Sequence, residues 1–469
     1  MISDQANINN ESFRDSISTI NKEGKRNWIF AQKPKGKLYN ARAVLSIVYL
    51  LVFFTLPFVK VNGQPFFLFN VLERRFVFFG VTFWPQDFFI FGLGMLVFIL
   101  FVVLFTVVYG RVFCGWICPQ TIFMEMVFRR IEYWIEGDAA KQKQLKNEPL
   151  GRNKILKKGF KHLVFFAIAF LIANTFLAYI IGIEQLWSIV SEPVSQHIGG
   201  FISIIVFTGI FYAVYAWFRE QVCLIACPYG RLQGVMTDRN SILVAYDYLR
   251  GEPRGKYRKT ERVDKGDCID CGQCVKVCPM GIDIRNGTQL ECTNCTACID
   301  ACDFMMEKVG YPKGLIRYAS ENGIAKKEKL RITPRIMAYT GVLVLLLGLL
   351  VVLLATRKDV STTVLRTPGM LFQKQGEDSV SNLYNIKLLN KTQQEVAIHL
   401  QLESGKGNIR LVGKDIVLKK ESKTESEFFI VLARNDVKER KTRLRVGVYS
   451  GDKKLETITT SFLGPVSIK

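Results

Sequence analysis

Two cysteine-rich runs decide how this chain is built: Cys268-Ile-Asp-Cys271-Gly-Gln-Cys274-Val-Lys-Val-Cys278-Pro279 and Cys292-Thr-Asn-Cys295-Thr-Ala-Cys298-Ile-Asp-Ala-Cys302. The 2-2-3 spacing lets three thiolates of one short loop reach three iron atoms of a cubic cluster. A structural zinc site usually takes two separated pairs around one ion, and disulfides are disfavoured in a reducing cytoplasm. The spacing therefore predicts two [4Fe–4S] clusters, which are one-electron carriers.

The pattern is that of bacterial two-cluster ferredoxins, in which the fourth cysteine of each run binds the other cluster. We assign the first cluster to Cys268, Cys271, Cys274 and Cys302, and the second to Cys292, Cys295, Cys298 and Cys278. Asp303 stands where the first run has Pro279, which leaves the ligands unchanged. The spacing fixes neither the electron donor nor the acceptor.

Five long uncharged runs predict five transmembrane helices, at about 43–59, 88–109, 163–183, 198–218 and 336–355. Each is close to the roughly 20 residues that cross a bilayer. A buried helix of a soluble protein rarely runs from Phe88 to Tyr109 without one charge.

Lys and Arg outnumber Asp and Glu by 63 to 41, which gives a net charge of +22. The excess basic residues are grouped beside the predicted spans. Basic residues precede the first span and fill the loop between the second and third, whereas the loop 184–197 has none. The positive-inside rule then places the N-terminus and 219–335 in the cytoplasm and the tail outside. The polar residues 1–27 predict no cleavable signal peptide. Because the basic clusters flank spans, we expect contact with anionic lipid and no nucleic-acid partner.

The C-terminal tail, from about 360, alternates between short apolar stretches and polar turns. The expected strands are Leu383–Leu389, Val396–Leu402, Ile409–Val412, Phe428–Leu432, Thr442–Tyr449 and Leu455–Phe462. Six or seven short strands in a segment of this length are typical of an antiparallel immunoglobulin-like sandwich. The tail contains no Cys and no clustered His or carboxylates, which favours a binding or docking module over a catalytic one.

Four further cysteines form two matched pairs, Cys114-x-x-x-Cys118-Pro119 after the second span and Cys223-x-x-x-Cys227-Pro228 after the fourth. Each pair follows two spans and a basic residue, which indicates an internal duplication that brings both pairs to the same membrane face. Pro is well suited to the first position of a helix. Cys118 at such a helix start, near Arg111, Arg129 or Arg130, would have a lowered thiol pKa. The alternative is one continuous helix with the two cysteines of a pair at i and i+4.

Four thiolates at a membrane surface form a soft site, which prefers Cu(I) to harder ions. A disulfide switch, a quinone contact and chemically inert thiols remain open as alternatives. The nearby Met280, Met305 and Met306 are expected to pack rather than to bind copper. Only three widely separated His are present, and no Cys-x-x-Cys-His occurs, which argues against haem.

In these motifs the chain resembles the cytochrome c oxidase accessory protein family of the FixG/CcoG/Rdx type. The resemblance covers nearly the whole length: paired membrane hairpins ending in Cys-x-x-x-Cys-Pro, the double cluster motif, a last span and a β-sandwich tail. It implies a bacterial inner-membrane protein that helps to assemble cbb3-type cytochrome c oxidase. It also implies copper delivery in which Cu(II) is reduced to Cu(I) on the cytoplasmic side. Our hypothesis is that the clusters pass electrons to copper held at the catalytic thiols of Cys114, Cys118, Cys223 and Cys227.

The expected organisation is therefore a multi-domain membrane protein. Its parts are a cytoplasmic basic N-terminus (1–42), a four-helix membrane domain (43–235), a cytoplasmic ferredoxin-like domain (236–335), a fifth transmembrane helix (336–356) and a periplasmic Ig-like domain (357–469). The expected partners are the membrane, a soluble electron donor, a copper ion and oxidase-assembly or copper-transport proteins, with a homodimer left open.

Two other functions remain open. One is a quinol-linked membrane ferredoxin that feeds or drains a periplasmic respiratory reductase. Ferredoxin subunits of periplasmic nitrate and nitrous-oxide respiration share four spans and similar cysteine pairs, but generally lack the fifth span and the sandwich. The other is a non-enzymatic scaffold that holds copper during oxidase assembly.

Overall fold

The computed structural model describes residues 19–20, 23–61, 63–257, 265–327, 333–376, 378–392, 394–437 and 439–465. Most of the polar segment predicted at 1–27 lies outside these ranges. The chain forms two compact units. The first comprises Met1–Lys60, Pro65–Glu73 and Leu93–Leu347, and the second comprises Val61–Gln64, Arg74–Gly92 and Gly348–Lys469.

Five helices among the described residues are long and apolar enough to cross a membrane, which confirms the five predicted spans. They are Lys37–Phe58, Phe88–Tyr109, Arg152–Ile181, Ile198–Phe218 and Pro334–Ala355. The first and third begin earlier than predicted, because basic residues that end an apolar run do not end a helix. Most of their side chains face outward, as expected for helices whose solvent is lipid.

Short helices connect the spans of the first unit. After the second span they are Val112–Trp116, Pro119–Ile122, the π-helical turn Phe123–Phe128, Arg129–Ile135 and Ala139–Asn147. Ile183–Ser191 follows the third span. The fourth ends in the π-helical turn Val214–Phe218 and is followed by a second such turn, Val222–Ala226, and by the helix Pro228–Met236. The ring of Phe128 stacks on Tyr215 at 4.5 Å and packs these helices together.

The cysteine-rich segment folds between two short strands, Leu243–Tyr246 and Ile316–Ala319, which pair antiparallel. Its helices are Tyr248–Gly251, Gln273–Lys276, Ile284–Asn286 (3-10), Ala297–Val309 and Glu321–Ala325. A buried cluster that includes Val244, Ile299, Met306 and Leu315 also contains the thiols of Cys268, Cys274 and Cys302. The apolar core of this segment is thus built around its cysteines.

The second unit contains a sandwich of two antiparallel sheets. The first sheet consists of Gly407–Val412, Lys423–Ala433, Ser379–Asn390, Val360–Arg366 and Gln373–Gln375. The second consists of Ile416–Leu418, Val396–Leu402, Lys441–Ser450 and Lys453–Leu463. The six predicted strands are confirmed, and three short or edge strands are additional. Tyr384 and Phe428 face each other in register and stack at 5.4 Å in the buried core.

Between the first and second spans, an aromatic-rich segment forms short strands. They are Lys60–Val61, Gln64–Pro65, Phe67–Asn70, Arg75–Phe78 and Val81–Phe83, followed by the 3-10 turn Pro85–Asp87. Arg75–Phe78 pairs antiparallel with Val81–Phe83. In the second unit, Arg75 and Thr82 donate hydrogen bonds to the buried carboxylate of Glu421, at 3.1 and 2.6 Å. This hairpin is therefore anchored to the sandwich.

Candidate electron-transfer site

The first group of cluster cysteines lines a single cavity. Cys268, Cys271, Cys274 and Cys302 surround it, with Tyr246, Ile269, Met306, Leu315 and Ile316 forming most of the apolar wall. Cys302 reaches this cavity from the helix Ala297–Val309, which belongs to the second run. The four thiols that we assign to one cluster are thus brought together from both runs.

The second group lines a neighbouring cavity. Cys278, Cys292, Cys295 and Cys298 surround it, and Cys274 contributes to its wall as well as to the first cavity. Each cavity therefore presents at least four soft sulfur donors in apolar surroundings, which fits a [4Fe–4S] cluster. When bound, each cluster would accept and release one electron at a time.

The two runs adopt the same backbone geometry at equivalent positions. Asp270 and Asn294, two residues after the first cysteine, both have left-handed φ values, of 50° and 53°. Gly272 and Thr296, one residue after the second cysteine, do too, at 66° and 65°. Left-handed residues curl a loop tightly, so each run wraps around its own cavity. The non-glycine residues at three of these positions gave no such signal in the sequence.

Burial sets the protonation of the cluster thiols. It raises the pKa of Cys274 and Cys292 to about 11 and that of Cys302 to about 12. These thiols are therefore neutral at pH 7 without metal, and ligation of iron must release their protons.

The remaining four cysteines share a third cavity. Cys114, Cys118, Cys223 and Cys227 line a space of about 550 Å³, whose apolar wall includes Phe98, Ile99, Val102 and Val103 of the second span. Sequence reasoning missed Tyr229 and Met236, which also line it. Met280, Met305 and Met306 lie elsewhere: Met280 and Met306 are buried against the two cluster cavities, and Met305 lines a separate cavity.

Both cysteine pairs end at the start of a helix. Cys118 caps the helix that begins at Pro119, and Cys227 caps the helix that begins at Pro228. The predicted helix starts are confirmed, and the alternative of one continuous helix is wrong. The cysteine before each proline is extended, as proline requires of its predecessor.

The predicted lowering of the Cys118 thiol pKa is wrong. Burial raises that pKa, although backbone N–H groups of Thr121 and Gln120 oppose the effect. Burial likewise raises the pKa of Cys114 and Cys223 to about 12, with Arg111 opposing it in both. The apolar cavity wall therefore outweighs the helix terminus and the nearby cation.

Three arginines that follow the second and fourth spans have carboxylate or carbonyl partners. The guanidinium of Arg219 donates two hydrogen bonds to Glu132, at 2.6 and 2.9 Å, with both residues buried. Arg129 lies 3.4 Å from Glu125. Arg111 donates to the carbonyl oxygens of Leu290 and Gly230, at 2.6 and 2.5 Å. Arg111 therefore ties the second span to the cysteine-rich segment.

The third cavity and the second cluster cavity share one residue, because Thr293 lines both. Gly115, inside the first cysteine pair, makes this approach possible. A Cβ at Gly115 would lie 2.4 Å from the carbonyl oxygen of Thr293 and 3.0 Å from the backbone of Asn294. Within the described ranges, no three His, Cys, Asp or Glu side chains lie close enough together to hold a single metal ion. In this respect the third cavity does not differ from the two cluster cavities.

Comparisons with known proteins place these features in a family. Residues 218–321 match a 4Fe-4S dicluster domain, 91–138 match a 4Fe-4S binding domain, and 350–465 match the IG-like fold at the C-terminal of FixG. Nitrogen fixation protein FixG of Rhizobium meliloti is 34% identical over 427 residues, covering 81% of this chain and 80% of the relative. Protein RdxA of Cereibacter sphaeroides is 34% identical over 402 residues, covering 81% of this chain and 83% of the relative. The chain belongs to the FixG/RdxA family.

Membership of the FixG/RdxA family confirms the resemblance seen in the sequence. The chain is a membrane iron–sulfur electron-transfer protein with five candidate membrane helices, 4Fe-4S domains and a C-terminal Ig-like domain. A crystal structure of a FixG-related protein from Vibrio parahaemolyticus covers 24% of this chain, with 20% identity and a TM-score of 0.20. The 4Fe-4S binding match at 91–138 contains Cys114 and Cys118, outside the two cluster runs.

Proposed function

We propose that this protein passes electrons from its two clusters to Cu(II) at the third cavity, releasing Cu(I) for assembly of cbb3-type cytochrome c oxidase. The observation that carries the proposal is the wall that Thr293 shares between the second cluster cavity and the four-thiol cavity. One residue separates the cluster ligand Cys292 from a cavity whose sulfur donors suit Cu(I).

The chain's own residues have three tasks in this reaction. The eight cysteines of the two runs hold the clusters, with the ligands divided as above. Cys114, Cys118, Cys223 and Cys227 bind copper and stabilise its reduced form, because soft thiolates favour Cu(I). Arg111 and Gly115 hold the two cavities against each other. Reduction of each Cu(II) takes one electron, so two reduced clusters supply the electrons for two Cu(II) ions.

A second route gives the same products. Two thiols reduce two Cu(II) ions, forming one disulfide and releasing two protons. Two electrons from the clusters and two protons from water then restore the thiols. The basic loops support a cytoplasmic location for either route, with the sandwich on the periplasmic side. There the sandwich would dock oxidase-assembly or copper-transport proteins.

The test uses purified protein with both clusters loaded and reduced. It should convert Cu(II) to a Cu(I)-chelator complex, and Ser in place of all four membrane cysteines should slow this at least tenfold. That variant must retain both cluster signals. Met337→Leu removes an exposed sulfur from the fifth span and should leave the rate unchanged. Undiminished copper reduction by the four-Ser variant would overturn the site. Copper binding without reduction would favour the scaffold function.

A quinone is the second candidate for the electron acceptor, because Phe98, Ile99, Val102 and Val103 of a membrane helix form an apolar wall of the third cavity. A lipid-soluble ring suits such a wall. Reduced clusters that are oxidised by a quinone analogue but not by Cu(II) would favour this quinol-linked function.

A further inference from the structure

A fourth cavity lies in the first unit and shares no lining residue with the four-thiol cavity. Its volume is about 790 Å³, within the roughly 300–1,000 Å³ usual for small-molecule sites. Lys33, Lys35, Arg130 and Lys308 line it, against the single carboxylate of Asp138. The proposed copper chemistry does not use this cavity.

The cavity adjoins both cluster-binding runs. Gln273, Val277 and Ala301 line it, and they directly precede Cys274, Cys278 and Cys302 in the sequence. The backbone N–H of Gln32 donates to the carbonyl oxygen of Lys276 at 2.8 Å. This bond holds the segment that carries Lys33 and Lys35 against the first run. A molecule in the cavity would therefore lie against residues next to ligands of both clusters.

Its cations are available to an anion. In the part of the chain that the structure describes, none of Lys33, Lys35, Arg130 and Lys308 forms an ion pair with a carboxylate. Lys308 instead lies over the ring of Phe304. Asp138 is engaged differently, because its Oδ1 accepts the backbone N–H of Lys33 at 3.0 Å. Arg130 donates its Nε–H to the Tyr39 hydroxyl at 3.2 Å, and its guanidinium lies over the Tyr39 ring, 5.5 Å from the ring centre. The remaining N–H groups of its guanidinium suit a phosphate.

Two large aromatic rings line this cavity. The ring of Trp134 lies 6.2 Å from that of Phe160, and the Lys308 ammonium lies 4.4 Å from the centre of the Phe304 ring. The side chain of Trp134 is 74% exposed and that of Phe304 is 55% exposed. Phe304 lies on the helix that carries Cys298 and Cys302. Aromatic rings with more than half of their surface exposed, beside cations that have no carboxylate partner, fit a ligand with a planar ring and an anionic group.

We propose that this cavity binds a reduced flavin mononucleotide as the electron donor, with its phosphate at Lys33, Lys35 and Arg130 and its ring against Trp134 or Phe304. Clusters take electrons singly, so they cannot accept a hydride directly from a nicotinamide, whereas a flavin releases its electrons one at a time. One dihydroflavin loses two electrons and two protons. The two clusters each gain one electron, and the protons pass to water. The inference rests on the proposed electron transfer through the clusters but not on copper as acceptor.

The first test is binding of oxidised flavin mononucleotide to the cluster-loaded, full-length protein, followed by flavin fluorescence. Riboflavin has the same ring without the phosphate and should bind at least tenfold more weakly. The double variant Lys33→Gln/Lys35→Gln should weaken mononucleotide binding at least tenfold. The matched control Lys143→Gln/Arg152→Gln removes two exposed charges outside the cavity and should leave affinity within twofold. Equal affinities for the two flavins, or an unaffected Lys33/Lys35 variant, would overturn the proposal.

The second test is the rate of cluster reduction by dihydroflavin mononucleotide, mixed without oxygen. The Lys33→Gln/Lys35→Gln variant should be reduced at least tenfold more slowly at subsaturating flavin, while dithionite at equilibrium still reduces both clusters fully. Incomplete reduction by dithionite would instead point to failed cluster binding, a failure of the proposed function. Reduction by an acidic carrier protein, with no binding of free flavin, would overturn the flavin site.

Discussion

Asp300 accepts the backbone N–H of Tyr39 on its Oδ2 at 2.7 Å and that of Leu38 on its Oδ1 at 3.2 Å. A carboxylate of the cysteine-bearing helix therefore satisfies the free N–H groups at the start of the first membrane helix. Gly36 permits this contact, because a Cβ there would lie 2.2 Å from Cγ of Asp300. The carboxylate of Asp300 thus connects the first span to the cluster-binding segment.

Replacing Asp300 should weaken the contact between the first span and the cluster-binding segment. Asp300→Ala leaves two N–H groups without their acceptor and should destabilise the unit by about 1–2 kcal/mol. Asp300→Asn keeps one acceptor oxygen and should cost less. Two measurements test this. One is the hydrogen-exchange rate of the backbone N–H groups of residues 37–40, and the other is the temperature at which the cluster absorbance is lost. Equal exchange in the wild type and the Ala variant would contradict the assigned role.

Gly115→Ala tests whether the distance between the two cavities matters. The added Cβ would press on the carbonyl oxygen of Thr293 and move the cysteine pair away from the second run. We expect copper reduction to slow at least tenfold while both cluster signals persist. Gly94→Ala is the control, since a Cβ at Gly94 meets no atom within 4 Å. Equal rates for the two variants would show that the close approach has no part in the reaction.

Glu132→Gln tests how much the buried ion pair between Glu132 and Arg219 contributes to the free energy of unfolding. The variant removes the carboxylate that accepts two hydrogen bonds from Arg219, and leaves this buried guanidinium with Glu220 at 3.5 Å from its Nε. Removing one partner of a buried ion pair costs about 3–5 kcal/mol when no other carboxylate remains, so we expect a smaller but clear loss of stability. Glu307→Gln, at an exposed position, should change the free energy of unfolding little. Chemical denaturation in detergent, followed by tryptophan fluorescence, measures both. If Glu132→Gln lowered the free energy of unfolding by no more than Glu307→Gln does, the prediction would be contradicted.

The same pair predicts a pH dependence. Burial opposes ionisation of Glu132, but Arg219, Lys161 and Arg129 together outweigh it and lower the pKa of this carboxyl from 4.5 to about 2. A lowered pKa in the folded state stabilises the protein above the unfolded value, and this contribution is lost as the pH falls from 4.5 towards 2. The wild type should therefore lose more stability than Glu132→Gln in this range. Parallel losses in the two proteins would rule out Glu132 as the titrating group.

Pairs of Ser substitutions test the exchange of ligands between the two runs. Cys268→Ser with Cys302→Ser removes two thiols from one cavity and should leave about four iron atoms per chain, the content of one [4Fe–4S] cluster. Cys298→Ser with Cys302→Ser removes one thiol from each cavity, although the two lie on the same helix. That variant should lose both clusters. Iron analysis and low-temperature spectra of the reduced proteins distinguish the two results, and the opposite pattern would mean that each run binds its own cluster.

Local patterns made much of the architecture predictable. Uninterrupted apolar runs predicted the five membrane helices, and alternation predicted six sandwich strands. Proline at 119 and 228 predicted where two helices begin. Helix starts at Lys37 and Arg152 escaped prediction because charged residues continue a helix as readily as apolar ones.

Features that depend on distant parts of the chain could not be predicted. The raised pKa of Cys118 follows from burial, which a helix-terminus argument leaves out. The fourth cavity draws its lining from segments near 33, 130, 273 and 304. No local pattern connects those segments, so its cations looked like ordinary cytoplasmic anchors. The position of Thr293 between two cavities likewise requires the folded chain.

The exchange of Cys278 and Cys302 between the two cavities has a consequence for biogenesis. During synthesis, neither cavity has its four thiols when only the first run has emerged from the ribosome. The first waits for Cys302, and the second for Cys292, Cys295 and Cys298. The second cavity therefore has its four thiols only after Cys298 has been translated, and the first only after Cys302. A chain truncated before Cys298 would leave the ribosome without a complete ligand set for either cluster.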